Sequence, residues 1–300
     1  MAYLAVVVLT YNEEKHLARC IESLSGLNAE VHVVDCFSND ETLTIARKSG
    51  AIIHQHVWVN HAEQFNWGLT QLPKNIEWVL RLDADEYLTP ALIKEINEKL
   101  HVVSAEVEGV FMPRRINFLG KLIRYGGVGK INTLRLFKAG KGRCENRWMD
   151  EHIVVQGGLL KFKNEFIDEN LNSLSWWVDK HNGYASREAV DLLNLKYGFM
   201  PHDSIAKLSS KSKSSIKRWV KEKLYSKAPS GFRAVSYFAY RYILLGGFLD
   251  GPRGFTFHFL QGFWYRYLVD AKIAEVKRTM RTQHLSVQEA IQIVLKIRVS

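Results

Sequence analysis

The sequence predicts an α/β fold with a mainly parallel sheet flanked by helices, and three observations support this prediction. Apolar, β-branched runs alternate with amphipathic helical patterns through the first hundred residues. The apolar runs are continuous, as is typical of strands that are buried on both faces. With 300 residues, of which 47% are hydrophobic, the chain can bury such a sheet.

Four strands and three helices are expected in this first part of the chain. The strands are predicted at 3–9, 29–35, 51–55 and 77–83, and the helices at 13–24, 40–50 and 62–72. The second helix ends at Gly50, a residue type that commonly closes helices. Repeated β-α-β units place helices on both faces of a parallel sheet, and ligands then bind at the carboxyl ends of the strands.

The pattern changes after about residue 105. Short extended runs between 105 and 170 indicate a less regular, mixed β region, and residues 171–200 are expected to be helical. A basic, aromatic and helical segment follows. We therefore divide the chain into an α/β domain at 1–204 and a helical region at 205–300.

Charge and cysteine content restrict the class of protein. The net charge is +10, yet residues 201–300 alone carry 18 Lys and Arg against 6 Asp and Glu. Such an excess favours an anionic partner surface, either acidic lipid or nucleic acid. Three widely separated cysteines without a CxxC pair argue against a disulfide framework or a zinc site. The apolar start of the chain is too short for a signal peptide and lacks a basic lead, so it is expected to form the first strand.

Three acids follow the fourth predicted strand, in "WVLRLDADE" (78–86). Side chains i and i+2 of an extended chain share a side, so Asp83 and Asp85 are expected to point together while Glu86 turns away. Adjacent carboxylates repel unless a cation neutralises them, and Mg²⁺ and Mn²⁺ prefer oxygen ligands together with phosphates. The pattern indicates a metal site for a phosphorylated ligand. The alternative is a solvated acidic loop that caps a helix starting near Pro90.

Polar residues also end the first two strands, in "LTYNEE" (9–14) and "VVDCFSND" (33–40). Together with "QFNWGL" (64–69) and "DADE" (83–86), these motifs resemble in order and spacing the family 2 glycosyltransferases, which are inverting enzymes of the GT-A fold. The resemblance covers roughly residues 3–190. The chain departs from the family pattern at "DCFSND", where many relatives have "DDGSTD".

The resemblance implies a nucleotide-sugar site at these strand ends. The residues expected to bind the nucleotide sugar there are Thr10, Tyr11, Glu13, Asp35 and Asp83. Tyr11 and Glu13 would border the base and ribose, and Asp35 would accept a hydrogen bond from a pyrimidine imide. Asp83 would lie near the ribose. Asp85 would bind the Mg²⁺ or Mn²⁺ ion that bridges the donor diphosphate.

An inverting transfer also needs a base that takes the proton of the acceptor hydroxyl. Relatives place an acidic base, often beside a histidine, in a motif that matches "NRWMDEHIVVQGG" (146–158). By this resemblance the base is Asp150 or Glu151, with Asp150 preferred, and His152 is a structural partner. Alternation along an extended chain lets only one of the two acids face the sugar.

A further motif, "SWWVDKHNGYASREA" (175–189), is similar to a family pattern W-x-x-KH-x-x-Y. The resemblance implies that Lys180 and His181 stabilise the leaving diphosphate, where negative charge develops. The alternative is an amphipathic helix with a packed tryptophan and a solvated lysine. Arg135 and the pair Arg114–Arg115 are weaker candidates for contacts with the diphosphate or an anionic acceptor.

The C-terminal region combines cations with many aromatic rings. A helix that crosses a bilayer needs about 20 apolar residues, and Arg233, Arg241, Asp250 and Arg253 interrupt every such window. Amphipathic helices with cations on one side and rings on the other lie among lipid headgroups. We therefore expect a peripheral or monotopic protein at an anionic membrane surface. Packing of these rings on the α/β domain or in a dimer is the alternative, and no motif of a nucleic-acid-binding protein accompanies them.

These observations predict a metal-dependent inverting hexosyltransferase. It would move a sugar from a nucleotide sugar, with UDP as the expected nucleotide, to a lipid-linked saccharide at the cytoplasmic face of the cell membrane. The run "DGPRGFTFHFLQGFWYRYLVDAKI" (250–273) also resembles the C-terminal part of bacterial family 2 enzymes of surface-polysaccharide assembly. Two other classes remain open. One is a nucleotidyltransferase, which is disfavoured because "LTYNEEKH" is not a Gly-rich, basic phosphate loop. The other is a non-catalytic membrane adaptor with a degenerate nucleotide fold.

Overall fold

The structure is a computed structural model that describes residues 4–145, 152–200 and 231–299. The chain divides into two compact units, Met1–Asn172 and Ser173–Ser300. The domain boundary expected after residue 204 lies outside the described residues and stays a prediction.

The predicted alternation of strands and helices is confirmed in the first unit. The strands are β1 (Leu4–Thr10), β2 (Ala29–Asp35), β3 (Ile52–Gln55) and β4 (Trp78–Asp83), and the helices are α1 (Leu17–Glu22), α2 (Thr42–Lys48) and α3 (His61–Thr70). Strands β1 to β4 are parallel to one another, with β1 between β2 and β4. The continuous apolar runs thus form the expected parallel part of the sheet.

The mixed β region follows, and it extends the same sheet. Its elements are β5 (Glu86–Leu88), α4 (Pro90–Lys99), a 3₁₀ turn (Leu100–Val102), β6 (Val107–Phe118), β7 (Lys121–Leu122), β8 (Ile131–Lys138), β9 (Arg143–Cys144), β10 (Ile153–Val154), β11 (Gly158–Lys161) and β12 (Phe166–Asp168). The strand order is β3-β2-β1-β4-β8-β6-β12-β5, with β7 and β11 also paired to β6. Strand β8 is antiparallel to both β4 and β6, and β9 and β10 form a separate hairpin.

Apolar side chains cover both faces of the parallel strands. Val6, Val8 and Leu80 belong to one buried cluster, and Val7 and Val79 belong to a second cluster on the opposite face. Helix α3 approaches the sheet so closely that a Cβ atom on Gly68 would lie 2.7 Å from Val34 Cγ2. The three cysteines, all within the described residues, form no disulfide; Cys20 and Cys144 are buried and Cys36 is partly exposed.

The described part of the second unit is helical, as expected. It contains α5 (Leu174–Tyr197), α6 (Phe232–Ala239) continued by a π-helical turn (Tyr240–Leu244), a 3₁₀ turn (Gly247–Asp250), α7 (Gly251–His258) continued by a second π-helical turn (Phe259–Trp264), α8 (Tyr265–Gln283) and α9 (Val287–Leu295). Side chains of α5, α8 and α9 form its core. Among the residues that the structure describes, no helix is both long enough and apolar enough to cross a bilayer.

Candidate active site

The polar ends of three parallel strands meet at one edge of the sheet. Thr10 at the end of β1 lies opposite Asp35 at the end of β2, and Leu9 lies opposite Asp83 at the end of β4. This register follows from the parallel pairing, because the carboxyl ends of parallel strands share an edge. The structure therefore brings together the strand-end residues that the sequence singled out.

Asp35 is buried and holds the loop that follows β2. Its carboxylate accepts hydrogen bonds from Thr10 Oγ1 (2.9 Å), from the Ser38 backbone N–H (2.9 Å), from Ser38 Oγ (2.5 Å) and from Gln55 Nε2 (3.4 Å). The backbone N–H of Asn12 in turn donates to Ser38 Oγ at 2.8 Å. Thr10 and Asp35 therefore shape the loops of this edge, and the predicted contact of Asp35 with a base stays a prediction.

Two aromatic rings project from these loops. Tyr11 is 59% exposed and Phe37 is 55% exposed. The loops carry two non-glycine residues with positive φ, Asn12 (55°) and Phe37 (60°). Such a backbone conformation is unfavourable for a bulky side chain, so the loops hold the Phe37 ring outward against a local cost.

His16 connects Glu13 to Leu171, near the C-terminal end of the first unit. The buried His16 ring lies 2.6 Å from Glu13 Oε2 through Nδ1, and its Nε2 accepts the backbone N–H of Leu171 at 2.8 Å. Because Nε2 accepts, Nδ1 carries the proton and donates to Glu13. The predicted ribose contact of Glu13 would use the carboxylate oxygen that His16 leaves open.

The acid motif is a turn, and this corrects one expectation. Ala84 and Asp85 form the turn between β4 and β5, so the alternation of an extended chain does not apply to Glu86. Glu86 is buried next to Asp83: its Oε2 accepts the Asp83 backbone N–H at 3.0 Å, and its Oε1 accepts Arg135 Nη2 at 2.5 Å. Arg135 also donates to Asp83 Oδ2 at 2.8 Å. Arg135 is thus a buried partner of the acids and not a contact for the diphosphate.

Burial and the arginine contacts give Asp83 and Glu86 very different pKa values. Burial alone would raise the pKa of Asp83, but the guanidinium groups of Arg135 and Arg81 hold it well below its ordinary value. Burial raises the pKa of Glu86 to about 8 in spite of Arg135. At neutral pH, Asp83 is therefore ionised and Glu86 is mainly protonated. Asp83 thus obtains its counter-charge from arginines, whereas the sequence pattern indicates a metal ion in that role.

Asp85 meets the residues that follow β12, which the sequence analysis missed. Its Oδ2 accepts from Asn170 Nδ2 at 3.1 Å, and its backbone oxygen accepts from the Glu169 N–H at 3.0 Å. Burial, followed by the charges of Asp85 and Asp83, raises the pKa of nearby Asp168 to about 6. The only sequence signal for these contacts is the polar run "DEN" at the end of a strand-like pattern.

The residues at this turn fit a hard divalent cation that is bound only in part by protein. Within residues 4–145, 152–200 and 231–299, no three His, Cys, Asp or Glu side chains converge as a metal-binding group. Asp85 uses one carboxylate oxygen for Asn170, so its other oxygen can serve as a ligand. Mg²⁺ and Mn²⁺ commonly take one or two carboxylates and complete their shell with substrate phosphates and water. The carboxylates that raise the pKa of Asp168 also favour a cation here.

The predicted bases, Asp150 and Glu151, lie outside the described residues, but the two ends of their segment are described. The Glu145 N–H donates to the His152 backbone oxygen at 3.0 Å, so the segment starts and ends at the β9–β10 hairpin. Cys144 connects this hairpin to the acid turn: its Sγ accepts Arg81 Nη1 at 3.6 Å, and Arg81 Nη2 lies 3.5 Å from Asp83 Oδ1. The Arg81 side chain thus connects Asp83 to strand β9 of the hairpin.

Lys180 and His181 lie on α5 in the second unit, and their assignment to the diphosphate stays a prediction. The His181 ring stacks on Trp177 with a centroid distance of 3.4 Å, and its Nδ1 lies 2.8 Å from the Trp177 backbone oxygen. Since a carbonyl only accepts, Nδ1 carries the proton and Nε2 of the neutral ring is an acceptor. Burial lowers the pKa of His181 to about 4, so the ring is neutral at neutral pH. Lys180 Nζ lies 4.6 Å from the centroid of the Trp176 ring.

Comparison with known proteins gives a consistent set of similarities. The sequence profile of Glycosyl transferase family 2 matches residues 5–156. The chain is 31% identical over 200 residues to the lipopolysaccharide core biosynthesis glycosyltransferase LpsC of Rhizobium meliloti, which covers 62% of this chain and 70% of that protein. It is 35% identical over 209 residues to an uncharacterized glycosyltransferase of Rickettsia typhi, with 64% and 69% covered.

Solved structures give weaker similarities. The S. aureus TarS 1-349 complex with UDP-GlcNAc matches with a TM-score of 0.42 and 14% identity over 98% of this chain and 90% of that chain. Glucosyl-3-phosphoglycerate synthase from Mycobacterium tuberculosis, crystallised with Mn²⁺ and UDP, matches with a TM-score of 0.32 and 22% identity over 37% of this chain and 44% of that chain.

Proposed function

Because the chain belongs to Glycosyl transferase family 2, we propose that it transfers a hexose from a UDP-sugar, with inversion, to a lipid-linked saccharide. The proposed reaction is metal-dependent and takes place at the cytoplasmic face of the cell membrane. The observation that carries the proposal is the shared sheet edge, where Asp35 and Asp83 lie on either side of β1 and Asp85 follows within the adjoining turn. The similarity to LpsC, a glycosyltransferase of lipopolysaccharide core biosynthesis, supports the acceptor class.

In this proposal the edge residues bind and orient the donor. Tyr11 borders the uracil base, whose imide approaches Asp35, and Glu13 and Asp83 approach the ribose. Arg135 keeps the Asp83 carboxylate ionised and fixed for that contact. Asp85 holds Mg²⁺ or Mn²⁺, and the bound ion would neutralise the charge that develops on the diphosphate.

The acceptor hydroxyl loses its proton to a carboxylate on the side opposite the diphosphate. We assign this step to Asp150 or Glu151, because their segment begins and ends at the hairpin that Arg81 connects to Asp83. Lys180 is assigned to the leaving diphosphate. His181 could assist only if its Nε2 were protonated, given the bond from its Nδ1 to Trp177.

The test compares UDP release from UDP-sugars with and without Mg²⁺ or Mn²⁺, for the full chain and for Asp85→Asn. We expect the variant to lose about a hundredfold or more in turnover and to lose the metal dependence of UDP binding. Its thermal unfolding should match that of the parent, because Asp85 is partly exposed at a turn. Glu98→Gln, a change in an exposed ion pair on α4, is the control and should keep full activity.

Other outcomes separate the competing classes. Full activity of Asp85→Asn would refute the assigned metal ligand. Pyrophosphate release from a nucleoside triphosphate would indicate a nucleotidyltransferase, and no metal-dependent UDP binding at all would indicate the adaptor. Asp150→Asn and Glu151→Gln, measured separately, should each keep donor binding, and only the variant that lacks the base should lose kcat.

A further inference from the structure

A helical hairpin in the second unit exposes apolar side chains on its outside. Its first arm comprises residues 232–244, its second arm residues 251–267, and residues 245–250 connect them. At the connecting end, which we call the tip, four large side chains are between 51% and 75% exposed: Ile243, Leu244, Phe248 and Leu249. Further exposed rings follow along the arms at Phe255, Phe259 and Tyr267. An apolar surface of this extent is typical of a docking site.

Three polar side chains near the tip are buried inside the hairpin: Arg241, Asp250 and His258. Arg241 is buried and donates to Gln261 Oε1 at 3.0 Å and to His258 Nδ1 at 3.3 Å. His258 Nε2 lies 3.4 Å from Asp250 Oδ2, and both residues are buried. Arg241 and Asp250, which interrupt the apolar windows in the sequence, therefore do not face the surroundings of the hairpin. An interior of satisfied polar groups beneath an apolar exterior suits a hydrocarbon environment.

The charges at the far end of the hairpin are paired. Arg233 forms an ion pair with Asp270, and Arg266 Nη1 lies 2.6 Å from Glu188 Oε1. Arg253, which lies one helical turn from the tip, is exposed. A long arginine side chain can extend from a position near the hydrocarbon boundary to the lipid phosphates. The hairpin is thus apolar at its tip, carries one cation just behind the tip, and is charged at its far end.

Three backbone N–H groups of the tip are paired inside the hairpin. The N–H groups of Leu245, Gly246 and Leu249 donate to the backbone oxygens of Tyr240 (2.9 Å), Ile243 (3.2 Å) and Gly246 (2.9 Å), respectively. Internal pairing of this kind is a requirement for any segment that enters hydrocarbon. The first arm of 13 residues spans about 20 Å, less than the ~30 Å of a bilayer core. A hairpin of this length enters one leaflet and does not cross the bilayer.

We infer that the tip, formed by Ile243, Leu244, Phe248 and Leu249, inserts into the acyl chains of one leaflet of an anionic bilayer. Arg253 then lies at the phosphates and the rings of the second arm lie among the headgroups, where aromatic side chains are enriched. The excess of cations in residues 201–300 makes an anionic lipid the complementary partner. The inference rests on the membrane location in the proposed function and adds insertion to the surface binding that the sequence predicts.

The test measures flotation of the full chain with vesicles of phosphatidylcholine and phosphatidylglycerol, followed by a wash at high salt. Inserted protein should stay bound after the wash, because salt screens charges and does not weaken apolar burial. Leu244→Asp combined with Leu249→Asp should lower vesicle partitioning by about a hundredfold or more, since aspartate is strongly disfavoured within hydrocarbon. The binding that remains should then be removed by salt.

Val102→Asp and Ile293→Asp make the same kind of change at exposed positions outside the hairpin, and they should float like the parent. Release of the parent by salt would overturn insertion, and so would unchanged flotation of the tip variant. If the tip variant instead abolished self-association in lipid-free solution while flotation stayed unchanged, the face would be a contact between copies of this chain. UDP binding in detergent is measured in parallel. A protein that binds UDP without inserting contradicts only this inference, and one that inserts without binding UDP contradicts only the proposed function.

Discussion

Arg135 is the residue on which the charge balance of the strand edge depends. It is buried and contacts the carboxylates of Asp83 and Glu86. Arg135→Met should lower the free energy of unfolding by about 1–3 kcal/mol, because it leaves the carboxyl oxygens of Asp83 and Glu86 without this donor. Adding Asp83→Asn should restore part of this loss, since Asp83 is the ionised acid that no longer has this partner. Urea unfolding measures both variants.

The control for this prediction is an ion pair at the surface. Lys94→Met removes the partner of Glu98, and both side chains are more than half exposed. We expect a change of about 0–1 kcal/mol there. An equally small effect of Arg135→Met would contradict the view that Arg135 neutralises a buried cluster.

Phe37 provides a second test at the residue scale. Its φ of 60° is unfavourable for any side chain other than glycine, by about 1–2 kcal/mol, and its ring is more exposed than buried. Phe37→Gly should therefore raise the free energy of unfolding by about 1 kcal/mol. Phe37→Ala keeps the backbone cost and should give no gain. A glycine variant that is less stable than the parent would show that the ring packs more than its exposure indicates.

At the scale of elements, helix α3 positions the β9–β10 hairpin. Asn66 Nδ2 donates to the Cys144 backbone oxygen at 2.9 Å, and Asn66 Oδ1 accepts the Cys144 N–H at 2.8 Å. Asn66→Ala leaves both backbone groups without this partner, so it should cost about 1–3 kcal/mol of stability. If the segment between β9 and β10 supplies the base, kcat should fall while the affinity for UDP is kept.

Asn97→Ala is the matched control, because its amide also donates to a backbone oxygen, that of Gly26, but on the exposed surface of the unit. It should leave kcat unchanged. A parallel loss of kcat in both variants would mean that turnover follows stability and not the position of the hairpin.

The sequence was most informative where elements follow from local periodicity. The strands at 4–10, 29–35, 52–55 and 78–83 agree closely with the predicted runs, because buried parallel strands are continuously apolar. The predicted orientation of Glu86 was wrong because the extended chain ends at Asp83, before the tight turn at Ala84–Asp85. The contacts of Asp85 with residues 169–170 could not be predicted, since they depend on the pairing of β12 with β5, about 80 residues apart in sequence.

At the scale of the whole molecule, each unit contains a histidine that stays neutral because it is buried. Burial lowers the pKa of His61 in the first unit and of His181 in the second to about 4. In the unfolded chain both rings bind protons below about pH 6.5. Their contribution to stability is therefore complete above about pH 6.5 and is lost as the pH falls towards 4.

The two rings should accordingly lower the urea midpoint as the pH falls from about 7 to about 5. Glu86 and Asp168 should act in the opposite direction, because burial raises their pKa values to about 8 and about 6 and the folded chain then holds their protons more tightly than the unfolded chain does. His61→Gln and His181→Gln should each reduce this acid sensitivity, and hydrogen exchange can assign the effect to one unit or the other. The same pH dependence of the midpoint in the parent and in both variants would mean that the two rings are protonated in the folded chain.

The cysteines have a practical consequence for the whole molecule. Burial raises the pKa of Cys36 to about 11 and that of Cys20 well above its usual value, and Cys144 is shielded from solvent. Because the thiolate is the reactive form, maleimide dyes should react only slowly with the three native cysteines near neutral pH. A cysteine introduced at an exposed site could thus carry a fluorophore or spin label in an otherwise unaltered chain, and pairs of such labels would report distances within working enzyme.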